Sequence, residues 1–182
     1  LNGQWEVINE GYEPGTIDFA SDKIGWMSTE DMILKTTDGG ETWIPDCWFG
    51  IGTHEIYEQF DFINDSVGWY NATMPKNHGI FKTIDGGKNW VKMQETPESE
   101  YGIALEYVSE EIVVVAGNSG FPMYKSTDGG DSWLDITPPA EHLLDPKSMS
   151  FTGPDTGIYA GVKWKTEGAK FNITYDGGKT WI

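Results

Sequence analysis

Asp18, Asp61 and Glu106 are the acidic residues whose placement invites a chemical reading. Each stands one residue before an aromatic (Phe19, Phe62 or Tyr107) that ends a short apolar run, and a fourth such run ends with Ser150 before Phe151. Two carboxylates facing each other across a cleft are what glycoside hydrolysis requires. Three around a channel can instead hold a cation or a lysine-rich peptide. The structural alternative is a set of strand residues that alternate toward water. Trp48 and Trp164 are the second kind of candidate. Exposed aromatics on loops stack on sugar rings or anchor peptides, and packing beneath a loop is their structural alternative. His54, His78 and His142 show no ligand spacing, so no metal site is expected. Cys47 is the single cysteine. It can form no intramolecular disulfide, and no base stands near it in sequence. No cofactor is implied.

A second pattern is denser. Asp38-Gly39-Gly40 lies two residues after the hydroxyl of Thr36 and ahead of Trp43. The same arrangement returns at Thr83, Asp85 and Trp90, at Ser126, Asp128 and Trp133, and at Thr174, Asp176 and Trp181. A phosphate-binding loop would need a helix after the glycines and a Gly-Lys-Ser/Thr, and neither is present. A calcium loop would supply several carboxylates where each of these offers one. Four copies cannot all be one active site. The expected role is a turn between two strands. Asp closes it by accepting backbone N–H groups two residues on, and the glycines supply positive φ. Trp opens the next strand with its face toward a neighbouring unit.

The elements that position these residues follow from the repetition. Phe19–Trp26 and Phe62–Trp69 precede the first two turns on the same beat, with looser counterparts at Tyr107–Gly117 and Phe151–Gly161. One unit parses into four short strands. In the second unit these lie near Gln59 to Phe62, Val67 to Ala72, Ile80 to Thr83 and from Trp90 onward. β-Branched and aromatic residues fill the runs, and Gly, Asn, Asp and Pro separate them. No segment carries a sustained helical period. The expectation is all-β: a β-propeller of four-stranded antiparallel blades, about four of them present. It would be a single domain over residues 1–182, with repeats near 5–43, 44–90, 91–133 and 134–181.

The four turns resemble the Asp-box, or BNR repeat. With Ile24-Gly25-Trp26 and Val67-Gly68-Trp69 ahead of them, they look like the propellers related to the photosystem II stability and assembly factor and like repeats of secreted bacterial proteins. Asp-box propellers include sialidases, xyloglucanases, sortilin-type receptors and assembly factors, so the resemblance implies the fold and leaves the activity open. A sialidase-like site holds its substrate carboxylate with arginines. This chain has none, its 12 basic residues all being lysines, so a complete sialidase site is excluded. An arginine-containing partner patch of the assembly-factor type is absent for the same reason. A xyloglucanase-like acid pair drawn from Asp18, Asp61 and Glu106 remains open.

Charge narrows the partners. A formal charge of −17 repels nucleic acid and anionic lipid, and no apolar run is long enough for membrane insertion. Met74 to His78, Gln94 to Glu100 and Thr137 to Pro146 form loops that differ between repeats, and loops on a rigid scaffold carry specificity. The expectation is a non-catalytic interaction module for a protein or glycan on an extracellular, periplasmic or cell surface. The alternatives are a carbohydrate-active enzyme with part of its site outside this chain, and a structural repeat of a larger surface protein. Trp5 and Trp181 occupy the same phase of the repeat. The expected assembly is therefore part of a longer propeller, with a closed four-bladed ring or two copies joined head to tail as alternatives.

Overall fold

The computed structural model describes residues 15–29, 32–48, 59–72, 79–93, 102–117, 122–140, 142, 144–162 and 168–182. Trp5, His54, His78 and Trp164 lie outside them, as do the side chains of Cys47 and Trp48. The described elements are strands in four antiparallel sheets. The first contains β1 (Ile17–Phe19), β2 (Gly25–Ser28), β3 (Met32–Thr36) and β4 (Ile44–Trp48). The second contains β5 (Gln59–Phe62), β6 (Gly68–Ala72), β7 (Gly79–Thr83) and β8 (Val91–Lys92). The third contains β9 (Gly102–Tyr107), β10 (Val113–Gly117), β11 (Met123–Ser126) and β12 (Leu134–Asp135). The fourth contains β13 (Asp145–Phe151), β14 (Gly157–Val162) and β15 (Ala169–Thr174). It is three-stranded, and Ile182 exchanges backbone hydrogen bonds of 3.0 and 2.8 Å with Ile173 along its outer edge.

Strands follow one another in each sheet in chain order, as short polar turns dictate. The innermost strands then pack in series: β1 beside β5, β5 beside β9, and β9 beside β13. No comparable packing returns from β13 to β1 among the described residues. Each sheet is a blade, with a rear face toward the preceding blade and a forward face toward the next. The core is divided among the three seams. Trp26 and Ile33 meet Phe60, Phe62 and Tyr70 in the first, and Trp69 and Ile80 meet Leu105, Tyr107 and Val113 in the second. Val114, Met123 and Ile136 meet Met149, Phe151 and Tyr159 in the third. A blade covered on both faces buries consecutive residues, which is why β10 is buried along its whole length.

Each Asp-Gly-Gly turn is closed by two hydrogen-bond systems. The Thr36 hydroxyl accepts from Asp38 N and Gly40 N, and it donates to Asp38 Oδ1. Asp38 Oδ1 also accepts Thr42 N at 2.9 Å, four residues on. The expected two-residue reach thus belongs to the hydroxyl, and the carboxylate spans the whole turn. The pattern repeats at Asp85, Asp128 and Asp176. These bonds favour the charged form, Thr42, Ser132 and Thr180 contributing most, and hold Asp38, Asp128 and Asp176 at about 2. Gly39 N donates to Lys23 O, and its counterparts bond Ser66 O, Glu111 O and Asp155 O, so every turn is strapped to the first hairpin of its own blade.

The glycine before Trp26 and Trp69 works through space. The Phe62 ring lies flat on Gly68, where an added Cβ would stand 2.4 Å from a ring carbon. The other face of that ring stacks on Trp26 at 3.5 Å between centroids and 1° between planes. In the third blade Val113 holds the glycine position. Tyr107 cannot lie flat there, and it meets Trp69 at 6.1 Å and 53°. Gly68→Ala is therefore expected to displace Phe62 and cost about 1–3 kcal/mol, read as a lowered urea midpoint. An unchanged midpoint would contradict the sandwich.

Candidate functional site

The three candidate acids come together along the inner strands, each bonded to the next blade. Asp18 Oδ2 accepts Phe62 N at 2.7 Å, and Asp61 Oδ2 accepts Tyr107 N at 2.9 Å. Glu106 Oε1 accepts Phe151 N at 3.0 Å and the Ser150 hydroxyl at 3.2 Å. They are staples between blades. Burial raises Asp18 above its ordinary value, opposed by the Phe62 and Phe19 N–H groups. Burial pushes Asp61 up to about 6 against the Tyr107 N–H bond, and the neighbouring Asp18 and Glu106 add to the rise.

Cross-strand register places two further residues in line with each acid. Asp18 pairs with Trp26, and Trp26 with Lys35. Asp61 pairs with Trp69, and Trp69 with Lys82. Glu106 pairs with Val114, and Val114 with Lys125. Each row lies on a forward face. Lys35 Nζ donates to Gly86 O at 2.8 Å, and Lys82 Nζ to Gly129 O at 2.9 Å, both carbonyls belonging to the next blade's glycine turn. Lys125 Nζ bonds Pro154 O across the third seam. Lys35 and Lys82 also sit over the Trp26 and Trp69 rings, at 4.6 and 5.0 Å. Trp26 Nε1 shares the Gly86 carbonyl at 3.1 Å. Sequence reasoning missed these lysines, although the signal was there: Lys precedes the turn hydroxyl in three of the four repeats.

Between the second and third blades the turns leave a crevice of about 470 Å³. Lys82, Ile84, Asp85, Val91 and Met93 line one wall, and Asp128 and Asp131 the other; the Lys82 ammonium is taken up by Gly129 O, and the three carboxylates outnumber it. Hydrogen bonds lower Asp85 below its ordinary value, with Asn89 the main partner, and hold Asp128 at about 2, with Ser132 the main partner. Ile84 and Val91 are exposed beside them. The crevice is thus anionic with apolar walls, a chemistry suited to an ammonium group on an alkyl stem.

The described part of the Thr137 to Pro146 loop is tied down. Asn172 Nδ2 and the Tyr159 hydroxyl both donate to His142 O, and His142 Nδ1 lies 3.2 Å from Asn172 Oδ1. Trp48 ends β4, and neither it nor Trp164 can be placed against any site among the described side chains. The turn tryptophans lie at the seams: Trp90 packs into the first, Trp133 meets Trp69 at 6.4 Å in the second, and Trp181 Nε1 donates to Ile136 O at 2.9 Å in the third. Trp43 packs edge-on against Phe19 in its own blade. Among the described residues, no group of three or more His, Cys, Asp or Glu is arranged to hold a metal ion.

Four antiparallel sheets in sequential order, fanned with their first strands side by side, define a β-propeller. Solved structures carry the same architecture. The chain is similar to YCF48 bound to D1 peptide, with a TM-score of 0.65 and 18% identity over 93% of this chain and 53% of that one. It is similar to the Niastella koreensis GH74 enzyme, with a TM-score of 0.66 and 19% identity over 90% of this chain and 28% of that one. It is also similar to the GH74 xyloglucanase from Xanthomonas campestris, with a TM-score of 0.64 and 12% identity over 87% of this chain and 28% of that one. The chain spans about half the length of the first and just over a quarter of the other two. No family model and no curated protein matches the sequence.

Proposed function

We propose that the chain is a non-catalytic interaction module of the Asp-box type that binds a protein partner through the blade rim. The observation that carries this reading is the anionic, apolar-walled crevice between the second and third blades. Hydrogen bonds hold Asp85 and Asp128 in the charged form, and the aliphatic walls are open to solvent. The complementary partner is an extended segment bearing lysines and apolar side chains, displayed on an extracellular or periplasmic surface. The likeness to a propeller bound to a peptide agrees with a peptide ligand.

The test is titration of the purified chain with lysine-bearing, neutral and acidic peptides of equal length, beside a glycan array. Lysine-bearing peptides are expected to bind, more weakly as salt rises. Asp131→Lys, at an exposed position, is expected to lower that affinity at least about tenfold. Equal binding of acidic peptides, or indifference to the charge reversal, would overturn the assignment.

One observation favours a second reading. Asp61 titrates near 6 beside two other acids, as a general acid of glycoside hydrolysis does, and two of the similar structures are GH74 enzymes. Turnover of xyloglucan that disappears in Asp61→Asn would make this the leading function.

A further inference from the structure

The residue after the second glycine of each turn differs in charge from blade to blade. It is Lys88 in the second blade, Asp131 in the third and Lys179 in the fourth. Each of these turns meets the forward side of the preceding blade, where Lys35, Lys82 and Lys125 reach across the three seams. The rims of the first and third seams thus carry an extra ammonium group of the chain's own. Lys88 interacts electrostatically with Asp46 and Asp85 at the first, and Lys179 stands near Lys125 at the third. At the second rim a carboxylate takes that place.

Asp131 differs from the other two acids of the crevice in a second way. Asp128 accepts the Ser126 hydroxyl, Ser132 N and the Ser132 hydroxyl, and Asp85 accepts the Thr83 hydroxyl, Asn89 N and Asn89 Nδ2. Both are engaged by their own turns. Asp131 is exposed and makes no hydrogen bond or ion pair with a described residue, so both its oxygens remain open to a donor. The opposite wall departs from the repeat at the same crevice. Ile84 is 73% exposed where the first and third blades have Thr37 and Thr127. An aliphatic side chain left in water and a carboxylate without a donor therefore line opposite walls of one crevice.

We propose that Asp131 is the specificity-determining residue of the peptide site. Its free carboxylate takes the partner's lysine ammonium, in the place that Lys88 and Lys179 fill at the neighbouring seams, and Ile84 and Val91 carry the alkyl stem. This rests on the reading of the crevice as the binding site and goes beyond it in two respects. Asp85 and Asp128 add attraction at a distance, whereas Asp131 makes the bond. One chain takes one such lysine, because the turn lysines of the other two seams repel a second.

Calorimetric titration with an acetylated, amidated Val-Lys-Val peptide tests this, since so short a ligand fills one crevice at a time. The wild-type chain is expected to bind one peptide, and Asp131→Asn to lower the affinity at least about tenfold. Lys179→Asp with Thr127→Ile copies both departures into the third seam. Both positions are exposed, and the third blade's turn already holds Asp at the first of them. That double variant is expected to bind two peptides, and adding Asp131→Lys to return it to one. Lys23→Asp, on an exposed hairpin of the first blade, makes the same change in net charge and is expected to leave the stoichiometry at one. Unaltered affinity in Asp131→Asn would overturn this proposal while leaving the crevice as the binding site. So would a single site in the double variant, or a second site in Lys23→Asp. A wild-type chain that binds no peptide would overturn the proposed function and this assignment together.

Discussion

Replacing Trp26 by Ala is expected to lower stability by about 3–5 kcal/mol, the largest single effect of any side chain in the seams. The ring is fully buried and stacks on Phe62. Its Nε1 donates to Gly86 O, and its face supports Lys35. Truncation opens a cavity between two blades, removes a buried hydrogen bond and releases the stem of a lysine that reaches the same carbonyl. Trp43→Ala is the control. That ring is half-buried on the rear of the first blade, where no other blade packs among the described residues, so its loss is expected to cost less than half as much. Urea unfolding of both variants checks the ordering, and equal losses would show that the seams do not carry the fold.

Asp61→Asn is expected to stabilise the chain at pH 7 and to flatten its stability profile between pH 4 and 6. The sign follows from the direction of the shift. Asp61 binds its proton more tightly in the folded chain, at about 6, than at its ordinary value of 3.8. Its contribution is therefore fully present below about pH 4 and is lost as pH rises through 6. A shift of this size corresponds to about 3 kcal/mol at most. Asn retains an oxygen for the Tyr107 N–H without the buried charge. Asp38, Asp128 and Asp176 act in the opposite sense. Held at about 2, they contribute above their ordinary value, and that contribution is lost as pH falls toward 2. Between the two windows the wild-type chain is expected to be most stable near pH 4. Unfolding midpoints at pH 3, 4, 5, 6 and 7 give the profile, and a slope between 4 and 6 that survives in Asp61→Asn would refute the assignment to this residue.

The strands of the second blade lie within about one residue of where the sequence pattern predicts them, because turn chemistry and period-2 alternation act over a few residues. Asp85, Gly86 and Gly87 need only each other and Thr83 to form their turn. The staple acids were legible as a spacing but not as a function. Asp61 finds Tyr107 N 46 positions away, and that distance is set by how one blade staggers against the next. Lys82 is similar: its reach to Gly129 O depends on the seam. The crevice was not legible at all, because Val91 and Asp131 belong to different blades and no local pattern links them. The third blade shows the reverse case, where a visible substitution, Val113 for glycine, had an effect on Tyr107 that only the packing reveals.

Composition and repetition alone determined that the chain is all-β, built from four like units, acidic, and without the arginines of a sialidase-like site. Those are properties of local backbone preference and of net charge, and neither depends on neighbours far along the chain. Tertiary structure decided which acids are bonded across blades, which lysines reach the next turn and where the anionic crevice lies. Hydrogen bonds and burial between repeats depend on contacts some 45 residues apart, and those contacts exist only once the blades are fanned side by side.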